Sequence, residues 1–215
     1  MHNSKTYNVN KINDNDFAIN GKGNNKIWDK ALSNNNFDYH WKEHQPLKTE
    51  FKALYSNTHL YFYYRVLDNK IHIDNNENLV DGVNNSDRVE IFFRTDKNLN
   101  PYYCLEIDPS PRAMVFKALP NKIFDFNWKW PLDGLKIMSS ITEKEYVVEG
   151  SISLESLKSL DLIRGNIIET GLYRAKFEKN NTEEYEAKWI SWINPNTPSP
   201  DFHIHTSFGE LHLLD

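Results

Sequence analysis

One cysteine, Cys104, in a chain of 215 residues leaves no partner for an intrachain disulfide and no set of thiolates for a metal cluster. No apolar run approaches the length of about 18 residues that a membrane-spanning helix needs. Residues 1–7 also lack the apolar stretch of a leader peptide. A membrane partner is therefore not expected. The compartment stays open: extracellular or periplasmic if a leader has been removed, cytoplasmic otherwise. A basic stripe is missing too. The 25 Lys and Arg face 30 Asp and Glu for a formal charge of −5, and the cations stand singly. Counterion-release binding has no footprint here, and nucleic acid is not an expected partner.

What the chain has in quantity is aromatic. Twelve Phe, eleven Tyr and six Trp are spread along it within a 39% apolar composition. That is enough for a core, with rings to spare for a surface role.

Residues 1–17 read as an irregular N-terminal arm and 18–215 as one domain, since no repeat, linker or shift of composition cuts a second. The first forty residues are rich in Asn, Lys and Asp, with one short helical turn near Trp28 to Leu32. From Thr49 the pattern becomes that of strands. Thr49 to Tyr55 alternates, Ser56-Asn57-Thr58 is a turn, and His59 to Val66 is an aromatic run. Further strands are predicted over 87–93, 102–108, 112–117, 144–152, 172–178, 187–193 and 207–213. Leu154 to Leu160 is the one predicted helix, with Ser153 as its N-cap. The spacing predicts an all-β chain, an antiparallel β-sandwich with one short helix.

Alternation assigns faces. Val89, Ile91, Tyr103, Leu105 and Ile107 are expected in the core, which sends Arg88, Glu90, Phe92, Tyr102, Cys104 and Glu106 outward. In 172–178, Arg174 and Lys176 are expected outward, with Tyr173, Ala175 and Phe177 inward. Polar alternation alone also describes a plain solvated sheet face. A mixture of Glu, Arg and bulky aromatics, however, suits sugar: carboxylates and guanidinium bind hydroxyls, and rings pack on pyranose C–H faces. The run from Lys188 to Leu211 adds a loop stiffened by Pro195, Pro198 and Pro200, with Trp192 at its entrance and Phe202 near its exit as an aromatic wall. The expected sugar-binding set is Arg88, Glu90, Tyr102, Glu106, Arg174, Trp192 and Phe202. A burial role for Trp189 or Trp192 competes with this.

The connection at 67–86 is long and acidic. Asp68, Asp81 and Asp87, with Asp74, Glu77 and neighbouring Asn residues, offer hard oxygen ligands, so a structural calcium site on Asp68, Asp81 and Asp87 is one expectation and a solvated acidic loop the other.

Asp87-Arg88-Val89-Glu90-Ile91-Phe92, preceded by Leu54 to Phe62 and followed by Ile190-Ser191-Trp192 and Phe208-Gly209-Glu210-Leu211, resembles family 9 carbohydrate-binding modules over about residues 18 to 214. The resemblance implies a β-sandwich that binds glycan ends or short oligosaccharides without catalysis. It also implies attachment to xylan-degrading or related glycoside hydrolases, and calcium in some members. It matches Glu90 to a sugar-contacting glutamate and puts Phe202 nearest a clamp tryptophan. Val83 stands where the first clamp tryptophan falls, Cys104 where the family has an arginine and Glu106 where it has an asparagine. Two other functions compete. Glu90 and Glu106, about 5 Å apart on adjacent strands, could nominally serve a glycosidase. His203, His205 and Met114 are the available ligands for haem or a metal, with the two histidines expected on one face; haem itself is not expected.

Overall fold

The computed structural model describes residues 5–13, 17–41 and 47–215. The strands are, in chain order, β1 (Thr6–Lys11), β2 (Thr49–Tyr55), β3 (His59–Leu67), β4 (Arg88–Arg94), β5 (Tyr102–Ile107), β6 (Ala113–Leu119), β7 (Ile123–Asp125), β8 (Leu135–Ile141), β9 (Glu145–Ser153), β10 (Ile167–Lys179), β11 (Tyr185–Ser191) and β12 (Gly209–Leu213). Two short helices accompany them, α1 (Leu79–Asn84) and α2 (Leu154–Ser159). The first sheet runs β7-β6-β5-β4-β10-β12-β1, with β11 paired to the far half of β10; the second runs β1-β2-β3-β9-β8.

The Ser56-Asn57-Thr58 turn is closed by Ser56 Oγ, which accepts from the Thr58 and His59 amides, and β2 and β3 pair antiparallel across it. The cap on α2 forms as expected, with the Ser153 side chain accepting from the Ser156 amide. The core cluster joins alternate residues of both sheets: Phe51, Phe62, Tyr64 and Val148 from the second, Val89, Ile91, Leu105 and Leu172 from the first. Tyr64 bridges the layers, its hydroxyl donating to the Glu90 carbonyl at 3.0 Å.

Several expectations change, and β7 and β8 form where no strand was expected. The N-terminal arm contains a strand: β1 lies parallel to both β12 and β2 and joins the sheets, so the sandwich is not purely antiparallel. A second helix, α1, forms inside the acidic connection, capped by Asn78, whose side chain accepts from the Val80 and Asp81 amides. The faces of β10 are reversed. Leu172 joins the core while Tyr173 lies on the outside of the sheet, so Arg174 turns inward with Lys176. Arg174 binds Asp68 at 2.8 Å, and Lys176 bridges Asp68 at 3.0 Å and Asp87 at 2.8 Å. Burial raises the Asp87 carboxyl above its usual range, against the pull of Lys176. A buried ion pair is tolerated only when each charge is answered, and here both aspartates are.

That network decides the fit of calcium. Two of the three expected ligands are neutralised by a buried lysine and arginine, and Asp81 sits in the first turn of α1. Among the described residues no three His, Cys, Asp or Glu side chains converge as a metal site. The donor set does not fit a cation. The connection is tied down instead by Lys176, Arg174 and Arg112, whose guanidinium donates to the Asp74 carbonyl at 2.6 Å and the Asn76 carbonyl at 3.2 Å.

Candidate saccharide pocket

All seven residues of β4 are buried, because the strand is covered on both faces. Its inner side, Val89, Ile91 and Phe93, meets the second sheet; its outer side carries Arg88, Glu90 and Phe92. In the register of β4 with β5, Glu90 lies directly opposite Glu106 and Phe92 opposite Cys104. Two carboxylates directly across a strand pair repel each other. Arg88 answers both: its Nε stands 2.8 Å from Glu90 Oε1 and 2.8 Å from Glu106 Oε2. Shared in this way, the one N–H makes a straight hydrogen bond to neither oxygen. The guanidinium is further fixed by the Asn84 carbonyl at 2.9 Å and by the ring of Trp189, 5.4 Å away.

These charges form the floor of a pocket of about 400 Å³, within the range of small-ligand sites. Met114 and Phe116 of β6 continue the floor, and Trp189 of β11 makes one wall. The turn between β6 and β7, with Asn121 and Lys122 at φ of 63° and 60°, reverses the chain and brings Lys122, Phe124 and Phe126 over the opposite side. Phe116 contacts Phe124 and Phe126 with ring centroids 5.3 and 4.9 Å apart. The proline-rich loop supplies the remaining edge, Pro200 to His203. It is held in place: Trp41 donates to the Thr197 carbonyl at 2.8 Å, Thr206 to the Pro195 carbonyl at 2.6 Å and Ser207 to the Phe202 carbonyl at 2.7 Å.

Burial raises both carboxyls, Glu90 to about 8 with the charge of Glu106 adding to the rise, against the opposing charge of Arg88. With Glu90 raised to about 8, the pair favours holding a proton at neutral pH. His203 goes the other way. Burial pulls it down to about 4, so its imidazole is neutral; Nδ1 lies 3.1 Å from the Tyr102 hydroxyl.

Arg88, Glu90, Glu106 and Phe202 from the expected set come together in this pocket. Tyr102 does not line it; it is buried beneath His203 and supports that ring. Arg174 lies in the inward ion network. Trp192 belongs to the core, 2% exposed, its amide donating to the Leu172 carbonyl. Its ring also explains the Phe208-Gly209 motif: a Cβ on Gly209 would meet Trp192 at 2.7 Å. The role expected for Trp192 falls to Trp189. Phe202 is a wall with one face already used, stacked on Tyr173 at 4.2 Å. The shared face expected for the two histidines is broken by a helical turn at His205–Ser207, which leaves His205 exposed while His203 enters the pocket wall. Sequence reasoning also missed Asn84, Lys122, Phe124, Phe126 and Asp201. The one signal for them was the spacing Phe124-x-Phe126, next to a segment with no predicted strand.

A family model described as carbohydrate family 9 binding domain-like matches residues 19–215. The chain belongs to this family. Solved structures agree on the fold. A family 9 carbohydrate binding module from Caldicellulosiruptor kristjanssonii is similar in its complex with cellotriose (TM-score 0.63, 15% identity, 97% of this chain and 93% of that one). It is similar also in its complex with glucose (TM-score 0.58, 16% identity, 97% and 95%). A Bacteroides uniformis protein of proposed carbohydrate-binding function superimposes at a TM-score of 0.68, with 16% identity over 97% of this chain and 99% of that one. No curated protein matches the chain. The family 9 domain thus shares its sandwich with these structures.

Proposed function

We propose that this family 9 domain is a non-catalytic carbohydrate-binding module that uses the Arg88–Glu90–Glu106 pocket, in an accessory role to the breakdown of oligo- or polysaccharides. The observation that carries the reading is the pairing of Glu90 and Glu106 on one guanidinium in a cavity lined by Phe116, Phe124 and Trp189. Carboxylate and guanidinium groups answer vicinal hydroxyls, and the rings answer the apolar face of a pyranose. Catalysis is not supported by the same geometry. A glycosidase places its two carboxyls on either side of the scissile bond, whereas here both approach one nitrogen from a common floor.

A glycan array probed with the intact protein, followed by calorimetry, tests this. Cellotriose and glucose, the ligands of the Caldicellulosiruptor complexes, are the first probes. Binding that is lost in Glu90→Gln supports the reading. Saccharide binding unchanged in both Glu90→Gln and Trp189→Ala would place the site elsewhere. Turnover of an aryl glycoside that disappears in Glu90→Gln would make the protein an enzyme.

A further inference from the structure

The pocket holds a charge imbalance that binding of a neutral sugar leaves unused. Glu90 and Glu106 are 1% and 4% exposed, and Arg88 is their one cationic partner among the described residues. The second cation of the pocket, Lys122, is half exposed and committed to Asp201 at 3.1 Å. Three carboxyl groups thus face two cations, and the third is answered by a proton. Glu90 Oε1 and Glu106 Oε2 are buried without a straight hydrogen bond, and both side chains line the cavity. The cavity beside them is lined by Phe116, Phe124, Phe126 and Trp189, rings of the kind that attract cations, and Trp189 already holds the Arg88 guanidinium. A hydroxyl can donate to a carboxylate here but cannot supply the missing positive charge.

We propose that the pocket takes a saccharide bearing a positively charged amine, an amino sugar whose nitrogen is not acetylated, with its ammonium against Glu90 and Glu106 and its ring against the aromatic wall. This rests on the saccharide reading above and narrows it to a substrate class. Without such a ligand the missing charge is met by the proton that the pair retains. Burial, Glu106 and Arg88 set this titration; the other titratable groups facing the cavity or beside the pair are Cys104, Lys122 from the β6–β7 turn, and Asp201 with His203 from the proline-rich loop. An ammonium drawn into the floor displaces the retained proton to solvent, so binding and proton release are one event.

Calorimetry of the intact protein near neutral pH would compare glucosamine and its β-1,4-linked dimer and trimer with glucose, cellotriose and N-acetylglucosamine. The amines bind at least about tenfold more tightly than their neutral counterparts, the scale of one desolvated cation–π or ionic contact. Heats measured in buffers of different ionisation enthalpy reveal release of close to one proton per amine bound. Glu106→Gln, which removes one charge at constant shape, brings the ratio of amine to neutral affinity close to one. The proton count needs no variant, so the proposal stays testable if Glu106→Gln does not fold. Neutral sugars binding as tightly as the amines, or amines binding without proton release, would overturn the amino-sugar assignment and leave the saccharide reading standing. No binding in either series overturns both.

Discussion

The outer faces of the two sheets each bury a glutamate system, and they treat it in opposite ways. On the second sheet, Glu149 of β9 accepts from the Asn20 and Gly21 amides and from Trp28 Nε1 at 2.6 Å. Ile19, Ile27 and Trp28 then close over Leu54, Tyr61 and Tyr63. The carboxylate is supplied with donors and the face is sealed. On the first sheet, Glu90 and Glu106 share one guanidinium and open onto a cavity. A buried charge whose donors are all provided by its own chain holds structure together; one left short of donors at a cavity is poised for a ligand.

The comparison is broken most forcefully by Glu149→Ala. Three donors lose their acceptor, and we expect a loss of about 3 kcal/mol or more, read by chemical denaturation, with saccharide affinity of the folded protein unchanged. If affinity falls in step with stability, the two faces are coupled and the contrast fails.

The pH dependence of stability comes next. Glu90 has a folded pKa of about 8, above the ordinary carboxylate range. The folded state therefore binds more protons than the unfolded one between that range and pH 8. Stability falls as pH rises through this window, by up to about 1.4 kcal/mol per pH unit. Denaturation across pH should show the slope, and Glu90→Gln should flatten it. A stability that rises over the same window contradicts the raised pKa.

Glu90→Gln should also separate function from folding. Gln keeps the shape of protonated Glu90 and removes the charge it takes on when it ionises, so the melting temperature near neutral pH holds while saccharide affinity drops about tenfold. Trp189→Ala should cost about 1 to 2 kcal/mol of binding through lost ring contact, with a smaller effect on stability because Trp189 is only partly buried. The smallest effect expected is that of calcium: since Lys176 occupies the charge between Asp68 and Asp87, millimolar calcium or excess chelator should leave the melting curve in place.

The pocket floor was legible because β4 and β5 are regular. Once Val89, Ile91, Leu105 and Ile107 are assigned inward, a period of two sends Arg88, Glu90 and Glu106 together to the other side. The same rule misled in β10. Tyr173, Ala175 and Phe177 look like a core set, yet this strand is covered on both faces, and alternation then says only that there are two sets. The long charged side chains went inward, where Asp68 and Asp87 neutralise them. Trp189 and Trp192 lie three residues apart with similar neighbours. Only the end of β11 at Ser191, after which the chain turns into the core, separates wall from core.

By itself the sequence determined the all-β sandwich, the family and the carboxylate pair, because strand period, turn residues and cross-strand register are local properties of the chain. The tertiary structure decided the rest. Phe124, Phe126, Trp189 and His203 come from three separate segments that share no period, and only their tertiary packing makes them walls of one cavity. The charge shortfall of Glu90 and Glu106 is likewise invisible in sequence, since it depends on which cations arrive in space and how much water is excluded when they do.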